Sequence, residues 1–123
     1  MSEISTQPQD CLFCRIVAGE IPATVVKEGE RVIAFQDVNP QAPTHVLVIS
    51  RAHHPNVAAL AAADPAALAE LVAMSADIAQ DAGTGAGPAS YRLVFNSGEQ
   101  AGQSVFHVHG HVLAGRPMSW PPG

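Results

Sequence analysis

Phe106-His-Val-His-Gly-His-Val-Leu-Ala114 decides the fold. As a β-strand, this stretch projects His107, His109 and His111 onto one face, while Val108 and Gly110 point the other way. Three imidazoles are a poor way to fill a core, because each polar ring needs a hydrogen-bond partner. They are read instead as chemistry. Histidines at i and i+2 can hold zinc, and near neutral pH a histidine also serves as nucleophile or general acid/base. Just upstream, Asn96-Ser-Gly98-Glu-Gln-Ala-Gly102-Gln-Ser104 offers small residues, free backbone N–H groups, an amide and a hydroxyl. Alone such a loop is an ordinary turn between strands. Beside three histidines on one face it becomes a phosphate site with a nucleophile above it.

Outward from this strand, Tyr91 to Asn96 is its sequence neighbour across the loop, and His45-Val-Leu-Val-Ile49 is apolar almost throughout, as a central strand requires. Thr24 to Glu28 and Arg31 to Asp37, separated by Gly29 and Glu30, form a hairpin. Asp64-Pro65 is a capping side chain followed by proline at the first helical position, so a long helix is predicted from there to about Ala82. Leu12, Phe13, Ile16 and Val17 fall at helical spacing before Gly19 and predict a short helix carrying Cys11 and Cys14. Gly83 to Pro88 resembles a dinucleotide-binding loop only superficially, since it follows a helix and precedes a strand; it is read as a flexible connection. The result is an α+β domain with a mostly antiparallel sheet, one long helix and one short one. Met1 to Asp10 is polar and expected to be mobile, leaving residues 11–123 as a single domain whose tail, 116–123, is too rich in proline for regular structure.

The 123 residues suit one domain. Of the 47% hydrophobic residues, 21 are alanine and only six are aromatic, so the core is built from small pieces and a partner subunit would help to complete it. Six Lys+Arg against 11 Asp+Glu give a formal charge of −5, which excludes the electrostatic footprint of a nucleic-acid or anionic-membrane binder. The longest apolar run, Val57 to Ala63, is far too short to span a bilayer, and the polar start lacks the regions of a signal peptide. A cytoplasmic protein is expected. There Cys11-x-x-Cys14 reads as a metal or redox pair before a structural disulfide.

The chain resembles histidine triad proteins of the Hint branch, the nucleoside phosphoramidate hydrolases. The residues that carry the resemblance are Cys11-Leu-Phe-Cys14-Arg-Ile, Glu20-Ile-Pro22-Ala, Ala34-Phe-Gln-Asp37, Pro40 to Ile49, Gly102-Gln-Ser104-Val-Phe-His107-Val-His109-Gly-His111-Val-Leu and the tail Trp120-Pro-Pro-Gly123. The resemblance implies a five-stranded sheet continued across a homodimer, and hydrolysis of the P–N bond of AMP- or GMP-type phosphoramidates through a nucleotidyl-histidine. On it, His109 is the nucleophile, and His45 and His107 orient that ring and relay its proton. His111, Ser104, Gly102 and Asn96 contact phosphate, and Asp37 binds ribose. Gln103 and Trp120 join the nucleotide-binding set. Asp37 also has a plainer reading, as a cap on the Asn39-Pro40 turn.

No cofactor is expected for catalysis; some relatives with similar cysteines bind structural zinc and others keep them without metal, and zinc here would use Cys11, Cys14, His53 and His107, with His54 either a substitute for His53 or a solvated polar residue. Two departures stand out. Gly110 replaces a bulky apolar residue and is expected to weaken packing behind the strand. Ser50 stands where relatives often carry proline and is expected to affect only the strand exit. Two other functions compete with the phosphoramidase: a dinucleoside polyphosphate hydrolase or nucleotidyltransferase of the same superfamily, and a nucleotide- or zinc-binding interaction module with little turnover.

Overall fold

A computed structural model describes residues 10–83 and 89–123. The segment 1–9 and the stretch 84–88, which holds most of the connection read as flexible, lie outside the described residues. Strands β1 (Val25–Glu28), β2 (Val32–Gln36), β3 (Thr44–Ser50), β4 (Tyr91–Val94) and β5 (His109–Ala114) form one sheet in the order β1-β2-β3-β5-β4. Every neighbouring pair is antiparallel. Strand β3 is central and buried along nearly its whole length, as its apolar run predicts.

Period-two alternation sorts the strand residues onto two covered faces. Val32, Ala34, Val46, Val48 and Val112 face Leu60, Leu71, Met74 and Ile78 on the helical side. Ile33, Phe35, Leu47 and Ile49 face Phe13, which sits on α1 (Leu12–Val17). The long helix, α3 (Pro65–Ala82), begins where predicted, with the Asp64 carboxylate accepting from the Ala67 amide at 3.1 Å.

A further short helix, α2 (Val57–Ala63), was not foreseen and corrects the count of one long and one short helix. Its cap is Asn56, whose side-chain oxygen accepts from the Ala59 amide at 2.9 Å. Five of its seven residues are alanine, so it shows little amphipathic contrast in sequence. Among the described residues no helix is long and apolar enough to cross a membrane.

Strand β5 starts three residues later than expected. The Val108 amide leaves the ladder and donates to the His54 carbonyl at 2.7 Å, so His107 precedes the strand rather than belonging to it. The alternation of faces nevertheless continues through it, since Val108 sits in the helical-side core. Gly110 is a second correction. A Cβ there would lie 2.9 Å from Leu93 Cδ1, 3.2 Å from Leu71 Cδ2 and 3.3 Å from Phe95 Cε1. Those three side chains already fill the room that a larger residue would occupy, so glycine does not loosen the packing.

Candidate active site

His109 and His111 share a face of β5, with ring centroids 5.0 Å apart. The His109 Nδ1 lies 2.8 Å from the His107 carbonyl. A carbonyl can only accept, so Nδ1 carries the proton and Nε2 keeps its lone pair. Burial lowers the His109 pKa below 6.5, offset in part by this carbonyl and by Asp37, and the ring is held in its neutral form. Phe13 meets it edge-on at 5.1 Å.

A second chain of hydrogen bonds fixes His111. The Gln41 amide donates to His45 Nδ1 at 3.0 Å, which leaves the proton of neutral His45 on Nε2. That nitrogen lies 3.0 Å from His111 Nδ1 and 3.4 Å from Asp37 Oδ2. His111 Nδ1 therefore accepts, and its proton sits on Nε2, a buried atom with no partner among the described residues. Burial, with the neighbouring His109 and His45, lowers the His111 pKa to about 4. An unsatisfied buried N–H is costly, and here it is a donor waiting for an acceptor.

Both rings line a groove of about 740 Å3, together with Phe13 and Ile16 from α1, Phe35 from β2, and Asp37, Val38 and Ser104. Asp37 combines two arrangements: Oδ1 accepts from the Asn39 amide at 2.8 Å, capping the turn, while Oδ2 faces His45. The loop from Gly98 to Ser104 turns through a 3-10 segment (Glu99–Ala101) flanked by Gly98 and Gly102 at φ of 91° and 94°, where a side chain would be strained.

Gln103 corrects its assignment as a nucleotide contact. Its buried amide accepts from the Gly98 N–H at 2.9 Å and donates to the carbonyls of Pro55 and Val105 at 2.7 and 3.1 Å. It pins the loop and leaves Ser104 as the loop's exposed hydroxyl on the groove. Asn96, Gly102 and Trp120 are not among the groove-lining residues. Trp120 is 82% exposed, on a tail tied down where Arg92 donates to the Ser119 carbonyl at 2.9 Å.

The remaining ring nitrogens build a separate cluster. His107 Nδ1 lies 3.4 Å from Cys11 Sγ, 3.4 Å from Cys14 Sγ and 3.3 Å from His53 Nδ1, and Cys14 Sγ lies 3.4 Å from that same His53 nitrogen. A tetrahedral zinc with ordinary bond lengths separates nitrogen from sulfur by about 3.5 Å and nitrogen from nitrogen by about 3.3 Å. The four separations just given match those distances, and all four atoms lie within 4.8 Å of one another. His107 Nε2 donates to the Ser50 carbonyl at 2.7 Å, so the Nδ1 lone pair is the one aimed into the cluster. Without a cation, burial and the adjacent Cys11 push the Cys14 thiol up to about 12, and burial first of all pushes His107 down to about 4. The donor set therefore fits structural zinc, with His53 rather than His54 in the fourth position.

Two orienting roles are corrected by this geometry. Both nitrogens of His107 are committed elsewhere, so its carbonyl, not its imidazole, holds His109. His45 pairs with His111 instead of His109. Asp37, His45 and His111 also lie close together, but the proton on His45 Nε2 blocks that nitrogen as a metal ligand. The Gln41 amide and the ring of Phe13 were not identified as site groups. The first is backbone and has no sequence signature, while the second was visible only as an apolar position in the first helix.

A neutral imidazole lone pair beside an orphaned imidazole donor, on a central antiparallel strand above an apolar groove, defines the histidine triad class of protein. The HIT domain family model matches residues 18–118, and the chain belongs to the HIT family. It is 46% identical to an uncharacterized HIT-like protein of Synechocystis over 94% of this chain and 98% of the relative. It is 44% identical to a 14 kDa zinc-binding protein of Zea mays over 91% and 87% respectively. Among solved structures, a HIT family hydrolase from Legionella pneumophila superposes with a TM-score of 0.84 at 46% identity, covering 93% of this chain and all of that one. A histidine triad protein from Clostridium difficile gives 0.82 at 36% identity, covering 91% and 96%. The fold is that of HIT family hydrolases.

Proposed function

We propose that this protein hydrolyses the P–N bond of purine nucleoside 5′-phosphoramidates, of the AMP-amine or AMP-lysine type, through a nucleotidyl-histidine; on an aminoacyl-adenylate the same attack would break the P–O bond of the mixed anhydride and release the carboxylate. The observation that carries the reading is the paired tautomer assignment: His109 Nε2 is a lone pair and His111 Nε2–H a buried, unpartnered donor, in two neighbouring rings that line one groove. His109 Nε2 attacks the α-phosphorus, the P–N bond to the amine breaks, and the amine leaves with a proton taken from solvent, which the attacking water of the second step gives back. Water then attacks the phosphorus of the histidine adduct, releasing the nucleoside monophosphate and restoring the ring. His111 Nε2–H and Ser104 Oγ donate to the phosphoryl oxygens as charge builds on them. The apolar walls given by Phe13, Ile16 and Phe35 suit a purine, and Asp37 stands at the groove as the ribose acceptor.

This mechanism asks nothing of a metal, so zinc at the cysteine cluster would be structural. Asn96, Gly102 and Trp120 would enter the site through movement on ligand binding or, for the tail, from a second copy. A homodimer is part of this reading, and the exposed Trp120, Phe106 and Val38 are the apolar groups it would have to cover. We also place the protein in the cytoplasm, a reducing compartment where Cys11 and Cys14 remain thiols.

The test is a turnover comparison on purified protein of adenosine phosphoramidate, AMP-lysine joined through the side-chain amine, and diadenosine polyphosphate. The phosphoramidate reading requires the first two to have the higher kcat/KM. Preference for the polyphosphate moves the protein to the alternative hydrolase, and no turnover of any of them to the interaction module.

A further inference from the structure

The metal-binding cluster and the nucleophile meet at one peptide group, that between His107 and Val108. Its carbonyl accepts from His109 Nδ1 at 2.8 Å, and its N–H donates to the His54 carbonyl at 2.7 Å. The His107 ring is held at Nε2 by the Ser50 carbonyl and at Nδ1 by the two thiols and His53. His54, which holds the N–H, is the direct neighbour of His53. Both sides of this peptide thus depend on the cluster: one through the ring of a ligand, the other through the residue next to a ligand. The peptide lies outside the β5 ladder, so sheet pairing does not fix it.

We propose that Cys11, Cys14 and His53 are positioning residues for His109, acting by locking the His107–Val108 peptide whose carbonyl selects the His109 tautomer. An unlocked peptide can rotate its carbonyl away. The His109 proton is then free to move to Nε2, which destroys the lone pair on the groove side. The effect falls on the reacting nitrogen while the groove walls, Asp37 and Ser104 stay in place. It therefore appears in kcat more than in KM. The kinetic part of this inference rests on the proposed phosphoramidase reading, but the tautomer part does not.

The test uses the full chain labelled with nitrogen-15 at histidine, read by imidazole NMR in three samples: zinc-loaded wild type, metal-free wild type titrated with zinc, and Cys11→Ser. Serine is a better helix cap than cysteine, so this variant preserves the α1 start that Cys11 now caps through the Cys14 amide. Zinc-loaded wild type should show a single Nδ1–H tautomer at His109. The metal-free and variant proteins should show a mixture with Nε2–H, together with kcat about tenfold lower and KM within about threefold. Zinc added to the metal-free protein should restore the single tautomer. If Cys11→Ser fails to fold by circular dichroism, the wild-type titration gives the same reading alone. An unchanged His109 tautomer on zinc removal, or failure of wild type to bind zinc, overturns the proposal. A tautomer response without phosphoramidate turnover by wild type overturns the functional reading and leaves the coupling standing.

Discussion

Gly110→Ala tests whether the back of the histidine strand is full or loose. Were glycine a packing defect, a methyl group there would fill space and stabilise the protein. The structure argues the reverse, because the new Cβ meets Leu93 Cδ1 at 2.9 Å, Leu71 Cδ2 at 3.2 Å and Phe95 Cε1 at 3.3 Å. The Leu93 methyl is the end of a flexible, partly buried side chain and can yield. Leu71, on α3, is fully buried against the sheet and cannot. Overpacking of this kind costs about 1–3 kcal/mol, and removing glycine's freedom in the unfolded chain returns about 0.4–1 kcal/mol, for a net loss of about 1 kcal/mol. That corresponds to a fall in Tm of about 4 °C for a domain of this size. Gly110→Val should lose more. The assay is urea unfolding at fixed protein concentration, with the midpoint lowered and the m-value unchanged. Combined with Leu71→Ala, the two losses should be less than additive, a coupling between the two sites. An unchanged or higher midpoint for Gly110→Ala would refute the packing argument.

Other consequences are as direct. Because the neutral His109 ring is the nucleophile and burial lowers its pKa, kcat/KM should be lost as pH falls through a midpoint below 6.5; a midpoint at or above 6.5 in the pH profile would contradict this. Gln103→Ala strands the Gly98 N–H and releases the carbonyls of Pro55 and Val105, so chemical denaturation should show a loss of about 1–3 kcal/mol, and an unaltered midpoint would mean that Gln103 does not pin the loop. Sedimentation at micromolar concentration should give a dimer rather than a 12.8 kDa species.

What could be read in the sequence was whatever is written in periodicity and caps. The apolar run at 45–49, the Asp64-Pro65 start and the alternation around 107–111 carried the sheet, the long helix and the shared face of the histidines. α2 was missed because alanine at every face gives no contrast, although Asn56 was present as a cap. The site was legible as a set of residue types but not as a network. Gln103 looks like a ligand contact in sequence, and only its burial shows that its amide is already spent on three backbone groups. His45 and His107 were assigned to His109 on the resemblance alone; the first assignment needed the β3–β5 register, and the second needed the cysteine cluster that occupies the His107 ring. Ile49 stands opposite His109, while Leu47 stands opposite His111 with His45 two residues along β3. Backbone groups at Gln41, Ser50 and His107 set the tautomers of His45, His107 and His109, with that of His111 following through His45, and backbone leaves no trace in residue type.

The central claim is that His109 carries the nucleotide. Rapid quench of wild-type protein with an adenosine phosphoramidate labelled in its phosphate, followed by peptide mapping, tests it most directly. The account predicts an acid-labile, base-stable adduct on His109 that forms and decays at rates compatible with turnover. It also predicts that His109→Ala gives no adduct and a rate lower by several powers of ten, with nucleotide affinity kept within about tenfold. Label on His111 or Ser104, or turnover by His109→Ala near the wild-type rate, would contradict it.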